Sequence, residues 1–415
     1  MMPPRLIGGI FMYIEREIEK TLASRLKQSK VILVTGARQV GKTTMLKTRM
    51  AGDYGYVTLD DLQAFSLAQN DPLAFFSDHE LPVIVDEVQR APGLFGTVKF
   101  LVDQSSERGR VILTGSQTYH LMKGVSESLA GRIRILEMSG LSLREIAGAA
   151  EPRPYIPGLV DKKMTSPLPE DFDFWAHVQR GSMPELQDTT REWDPFYADY
   201  VRAYLERDVR DLINVKSEMK FHDFMVACAA RTGQLLNASD IANTIDVDVK
   251  TVQSWISVLS ASGIIHVLRP FWADANKRLA KTPKMFFMDT GLACHLTRWT
   301  TPETLRNGAM AGHMFETFVV SEVLKSHMNA GKDLRDIWFY RDSRQREIDL
   351  VVQAGHVLHP VEIKTGITIG QDAVKNFSVL EDFADYEVAE GAVICQTDAP
   401  YLINRNVQAI PVWAI

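Results

Sequence analysis

Cysteine is scarce in this chain, and the three that occur, Cys228, Cys294 and Cys395, stand too far apart for any metal-ligand spacing. That sets aside a zinc site and a disulfide scaffold and fits a reducing compartment. No run of about 18 uncharged apolar residues occurs, so no membrane span is expected. The stretch behind Met1 is interrupted by Pro3, Pro4, Gly8 and Gly9 and runs directly into Glu15-Arg16-Glu17. It lacks the ordered basic, apolar and small-residue regions of a signal peptide, so a cytoplasmic protein is expected. An excess of positive charge is missing too. The net charge of −6 means that any contact with a polyanion must come from local basic patches.

What is present is an ordinary globular composition, 46% hydrophobic and 24% charged, long enough for roughly three domains of about 150 residues. Ile14, Ile18, Leu22 and Leu26 recur at helical spacing and predict an amphipathic helix covering one side of a sheet. Val31-Ile32-Leu33-Val34-Thr35 reads as a strand buried on both faces. Gly36-Ala37-Arg38-Gln39-Val40-Gly41-Lys42-Thr43 follows it. Glycines at the two ends of such a loop let consecutive N–H groups turn toward phosphate oxygens, and the helix opening at Lys42 adds its positive end. The expected cofactors are ATP and Mg²⁺. Lys42 would bridge the β- and γ-phosphates, the hydroxyl of Thr43 would ligate Mg²⁺, and Thr44 would continue the helix.

A second buried strand, Val83-Ile84-Val85, delivers Asp86 for Mg²⁺ and Glu87 to polarise the attacking water. The bland reading of two acids after a strand is a helix cap or a solvated turn. A third strand, Val111 to Thr114, runs into Gly115-Ser116, and either Thr114 or Ser116 could sense the γ-phosphate. Arg132, before a strand at Ile133 to Leu136, would touch phosphate in its own or a neighbouring subunit, or be a surface arginine. Five strands with helices between them predict a P-loop parallel sheet within an α/β protein. The motifs Gly36 to Thr44, Val85-Asp86-Glu87-Val88-Gln89, Leu113 to Ser116 and Ser128 to Arg132 resemble the AAA superfamily, specifically the AAA-14 type of ATPase. The resemblance implies ATP hydrolysis and self-association into a homo-oligomer with nucleotide sites at subunit interfaces.

The expected ATPase domain spans residues 1–147 and is followed by a linker at 148–172, where five prolines lie between Pro152 and Pro169. A helical and winged-helix region is expected over 173–300. There Ser239 can cap one helix and Asp248 the next, with Val249, Val252, Ile256 and Leu259 inward. Lys250, Thr251, Gln253 and Ser254 would face outward, able to contact DNA, and Lys277, Arg278, Lys281 and Lys284 form a basic patch beside them. The competing use of such a module is protein contact or structure alone.

Residues 301–415 are expected to form a mixed α/β domain. Glu316 lies on a helix, and two strands carry Asp349 and the Glu362-x-Lys364 pair thirteen positions later. The three acids could converge on one Mg²⁺ with Lys364 beside them, or be buried salt bridges. These residues resemble the PD-(D/E)xK nuclease core, with a spacing similar to Holliday-junction resolvases. With the middle region they resemble the DUF4143 partner of AAA-14 ATPases. The combined expectation is a Mg²⁺-dependent ATPase acting on DNA, branched DNA included. The rival readings are a nucleotide switch that binds protein partners and an ATP-dependent endonuclease.

Overall fold

A computed structural model describes residues 13–115, 129–149, 151–204, 218–274 and 281–415. Helix α1 (Ile18–Leu26) leads into β1 (Val31–Thr35) and α2 (Lys42–Met50), followed by β2 (Gly55–Thr58), α3 (Leu62–Asn70) and α4 (Pro72–Asp78). Then come β3 (Val83–Asp86), α5 (Leu94–Asp103), β4 (Val111–Thr114), β5 (Ile133–Glu137) and the short α6 (Leu143–Ile146). The five strands form one parallel sheet in the order β2-β3-β4-β1-β5.

Both faces of that sheet are covered, which is why its strands read as unbroken apolar runs. Ile32, Val34, Ile84 and Ile112 point to the side where Ile18 and Leu22 of α1 pack. Val31, Leu33, Val85 and Leu113 point to the other side, against Phe75 of α4 and Phe95 of α5. Each such side chain, fully buried, contributes roughly 1.5–3 kcal/mol. Because β1 lies between β4 and β5, and β4 beside β3, the carboxyl ends Thr35, Asp86 and Thr114 come out side by side. A crevice at that edge is where such sheets place a ligand.

The middle region holds α7 (Phe174–Arg180), α8 (Trp193–Tyr204), α9 (Glu218–Ala229), β6 (Gln234–Leu235), α10 (Ala238–Ile245) and α11 (Val249–Ala261). Two further strands, β7 (Ile265–Leu268) and β8 (Lys284–Phe287), complete an antiparallel sheet in the order β6-β8-β7. The α10 cap is Asn237, not Ser239: its side-chain oxygen accepts from the N–H groups of Ser239 and Asp240. An asparagine two residues upstream reaches the free N–H groups that a serine already inside the helix cannot. Asp248 caps α11 through Lys250 N at 2.9 Å. Asp246, in the left-handed region at φ 54°, ends α10 and turns the chain into α11.

Helices α12 (Thr290–Thr297) and α13 (Pro302–Asn307) lead to α14 (Ala311–Asn329). Almost every side chain of α14 from Met314 onward is buried, so it has no solvent face. It lies between the ATPase sheet and a mixed sheet built from β9 (Ile337–Arg341), β10 (Glu347–Ala354), β11 (Val357–Ile363), β12 (Glu387–Val388), β13 (Gly391–Cys395), β14 (Tyr401–Leu402) and β15 (Val407–Pro411). Hydrogen bonds tie α14 to the N-terminal region: Thr21 Oγ1 donates to Asn329 O at 2.6 Å and Leu143 N to a Glu322 carboxylate oxygen at 2.7 Å. The proline-rich segment is extended and pinned across the same unit. Tyr155 N donates to Ser326 Oγ and Val160 N to Gln408 Oε1.

Candidate functional site

The phosphate loop leaves β1 through Gly36 at φ 137° and enters α2 through Gly41 at φ 91°. A Cβ on Gly36 would sit 1.9 Å from the Met138 carbonyl oxygen, so only glycine lets the loop pass β5 so closely. Gln39 also takes a left-handed conformation, at φ 59°. Lys42 is buried and folds back on the loop, its ammonium donating to Gly36 O at 2.9 Å and Ala37 O at 2.7 Å. Thr43 Oγ1 donates to Asp86 Oδ2 at 2.8 Å, and Tyr56 OH donates to the same oxygen at 2.8 Å. A hydroxyl and a carboxylate, both hard oxygen donors at the mouth of the loop, fit a Mg²⁺ ion.

Glu87 sits next to this pair in the left-handed region at φ 57°. Burial pushes its carboxyl up from the usual range, opposed by a hydrogen bond from the Gln89 amide. A carboxyl shifted that way is a better proton acceptor for water than an exposed one. Among the described residues Thr114 Oγ1 is buried without a hydrogen-bond partner, at the end of the strand that separates β1 from β3. An orphaned hydroxyl there suits a group that a phosphate oxygen would satisfy. Ser116 lies outside the described residues.

Arg38, Gln39, Gly41, Lys42, Thr43, Thr44 and Glu87 line a cleft of about 630 Å³. Its opposite wall comes from the middle region through Pro184, Glu185, Asp188 and Arg191, and Tyr13 closes one end. Two of the cleft's arginines carried no recognisable motif. Arg191 pairs with Glu185 at 3.5 Å across that wall. Arg16 is buried under the loop: it pairs with Glu145 at 3.0 Å and donates to the carbonyls of Val40 and Ser139, both at 2.8 Å. Its setting in Glu15-Arg16-Glu17 reads as a solvated charged run, and no pattern marks it as buried.

Arg132 stands at the amino end of β5, bound to Asp103 at 2.6 Å and to Ala130 O. The phosphate loop is at the carboxyl end of the same sheet, a five-residue strand and roughly 17 Å away. Contact with phosphate in its own subunit is excluded by that placement.

In the C-terminal region Asp349 on β10 comes opposite Glu362 on β11, one step beyond the Leu350–Val361 pair. A β-bulge between Ile348 and Val351 breaks the regular alternation expected for that strand. Asp349 Oδ2 accepts from Ile363 N at 2.8 Å, and Lys364 reaches Glu362 at 2.5 Å and Asp349 at 4.0 Å. Glu316, expected to complete a metal shell, instead binds the ammonium of Lys284 at 2.8 Å, and Glu347 binds it at 2.6 Å. Burial opposes charge on Lys284, yet Glu316, Asp349 and Glu347 together hold its pKa above the ordinary lysine value. Burial raises the carboxyls of Glu316, Asp349 and Glu362. Among the described residues no group of three or more His, Cys, Asp or Glu is arranged to hold a metal ion. The acids expected to share one Mg²⁺ thus pair with two lysines, and the metal does not fit.

That arrangement also removes Lys284 from the surface patch in which its neighbours place it. At 3% exposure it cannot reach a nucleic acid. Lys281 is exposed, with its ammonium over the Trp272 ring at 5.4 Å, while Lys277 and Arg278 lie outside the described residues. On α11, Val252, Ile256 and Leu259 are buried, Lys250, Gln253 and Ser254 are exposed and Thr251 is half-buried. No helix among the described residues is long and apolar enough to cross a membrane.

Residues 28–147 match AAA_14, an AAA domain, residues 171–303 match a domain of unknown function, DUF8612, and residues 311–415 match another, DUF4143. Two uncharacterized proteins, from Mycobacterium tuberculosis and Mycobacterium bovis, are each 26% identical over 403 residues, covering 96% of this chain and 84% of theirs. Among solved structures, the RuvB Holliday junction branch migration motor of Thermotoga maritima is similar at a TM-score of 0.28 and 15% identity, over 60% of this chain and 88% of that one. A signal transduction ATPase with a tetratricopeptide repeat sensor from Pyrococcus horikoshii gives a TM-score of 0.26 at 12% identity, over 80% and 49%.

Proposed function

From the premise that residues 28–147 are an AAA-type P-loop ATPase domain of the AAA_14 family and residues 311–415 a DUF4143 domain, we propose that this chain hydrolyses ATP to change its grip on DNA. The observation that carries the hydrolysis is the junction of Thr43, Asp86 and Glu87 at the mouth of the loop. Thr43 and Asp86 would hold Mg²⁺, which neutralises charge on the β- and γ-phosphates. Lys42 would exchange its loop carbonyls for phosphate oxygens, the Thr114 hydroxyl would donate to a γ-phosphate oxygen, and Glu87 would orient the water.

The DNA reading rests on α11. Among its exposed residues, Lys250, Gln253 and Ser254 are short or flexible polar groups near the start of the second of two helices joined by a tight turn, the position that enters a major groove in a helix–turn–helix. Lys281 lies after β7 and adds a phosphate contact. Four-way junctions are the DNA to try first, on the resolvase-like spacing of Asp349, Glu362 and Lys364. As in other proteins of the AAA superfamily, the working form would be a homo-oligomer, with Arg132 directed to a neighbour's nucleotide.

The test is ATP turnover with no DNA and with single-stranded, duplex and four-way-junction DNA at modest salt. Stimulation by DNA that falls several-fold in Lys250→Glu/Gln253→Ala, with basal turnover unchanged, supports the reading. Lys281→Ala, with one fewer phosphate contact, should flatten the log–log salt slope by about 1. Basal turnover with neither DNA binding nor stimulation overturns the DNA role and favours a switch that answers to a protein.

A further inference from the structure

Lys284 begins β8, the middle strand of its sheet, where Leu235 flanks it on one side and Leu268 on the other. Its backbone is thereby locked in place. The side chain is 4% exposed and enters the C-terminal region, where its ammonium lies 2.8 Å from Glu316 Oε1 and 2.6 Å from Glu347 Oε1, over the face of Phe339. Glu347 is held from its other oxygen by Arg341 at 3.0 Å, and Glu362 by Lys364. Four carboxylates, Glu316, Glu347, Asp349 and Glu362, thus share three cationic side chains.

From this geometry we infer that Lys284 occupies the cation position of the C-terminal carboxylate cluster and that the chain loads no divalent metal there. A Mg²⁺ ion needs oxygens at about 2.0–2.1 Å in near-octahedral array. Glu316 and Glu347 are set at hydrogen-bond distance around a nitrogen, and Asp349 spends one oxygen on Ile363 N. To enter, a metal must expel an ammonium whose side chain is almost wholly buried, leaving it without its acid partners, which is costly. The fixed amine does what the ion would do for the charges without supplying a Lewis acid. It also joins the middle and C-terminal regions, since the cation comes from one and its acids from the other.

The inference is independent of the ATPase, and its test omits nucleotide. Mn²⁺ is titrated into the full chain while free Mn²⁺ is followed by electron paramagnetic resonance. Wild type should take up no Mn²⁺ that Asp349→Asn abolishes. Lys284→Met should gain about one ion per chain and lose it again in Lys284→Met/Asp349→Asn. Uptake by wild type that disappears in Asp349→Asn overturns the inference, as does a folded Lys284→Met that gains no ion. Should Lys284→Met not fold, the comparison of wild type with Asp349→Asn decides alone.

Discussion

Arg16 Nη1 donates to the carbonyl of Val40, the residue before the second loop glycine, at 2.8 Å. The same guanidinium is paired with Glu145, which also accepts from Glu17 N and Ser142 N. Glu17 in turn accepts from Asn329 at the end of α14. The phosphate loop is therefore connected, through a buried ion pair and its neighbours, to the helix that carries Glu316. Groups in such a network hold one another in place, because none can leave without stranding a buried charge.

Removing Arg16 alone should be severe. Arg16→Met leaves Glu145 buried and uncompensated, at a cost of roughly 3–5 kcal/mol in unfolding free energy. Arg16→Met/Glu145→Gln should recover part of that loss, giving a coupling of at least about 1 kcal/mol in a urea double-mutant cycle. Strict additivity of the two single changes would show that the pair does not act as one. The single variant should also bind nucleotide more weakly, since Val40 O loses its anchor, and equilibrium binding of a fluorescent ATP analogue reports that.

The sheet of the ATPase domain was legible because burial on both faces demands an unbroken apolar run, and the mostly β-branched stretches Val31 to Thr35 and Val111 to Thr114 supply one each. The loop was legible because its glycines and Lys42 sit between that strand and a helix. Lys284 was not. In the sequence it ends a run with Lys277, Arg278 and Lys281, and only the pairing of β8 on both edges turns its side chain inward. Arg16 failed for the same reason: its partner Glu145 is 129 positions away, and no local pattern reports a contact made by tertiary packing. The interdomain wall of the nucleotide cleft, Glu185 to Arg191, is likewise a product of how two regions dock. Local chemistry shows in a sequence, whereas partners brought together by folding do not.

Acid should weaken the fold through His177. Burial holds its imidazole at a pKa of about 4, and its Nε2 is buried without a partner among the described residues. The ring packs against Phe172 and Phe318. With an unfolded value near 6.5, the native state binds fewer protons between pH 4 and 6.5. This group's stabilisation is thus present above pH 6.5 and lost as pH falls, at up to about 1.4 kcal/mol per pH unit. Glu17, raised to about 7 by burial, acts in the opposite sense across much of that window, so wild type alone is not diagnostic. His177→Phe, which keeps a ring in the same place, should gain on wild type as pH is lowered from 6.5 to 4.5 in urea melts. A pH-independent difference would show that His177 does not titrate between the two states.

The nucleotide site predicts a separation of binding from turnover. The Glu87 carboxylate accepts a hydrogen bond from the Gln89 amide, and its expected role is to orient water rather than to hold the nucleotide. Glu87→Gln should therefore keep ATP affinity within a few-fold while turnover falls by about 10²–10³, a loss of roughly 3–4 kcal/mol in the transition state. Lys42→Ala removes a side chain that folds over the loop onto Gly36 and Ala37 and would lie on the phosphates, so it should lose both binding and turnover. Asp86→Asn belongs with Lys42→Ala only when Mg²⁺ is present, because its carboxylate acts through the metal and Thr43. Measuring ATP binding with and without Mg²⁺ alongside steady-state hydrolysis separates the three roles. Normal turnover in Lys42→Ala would remove the loop lysine from the reaction altogether.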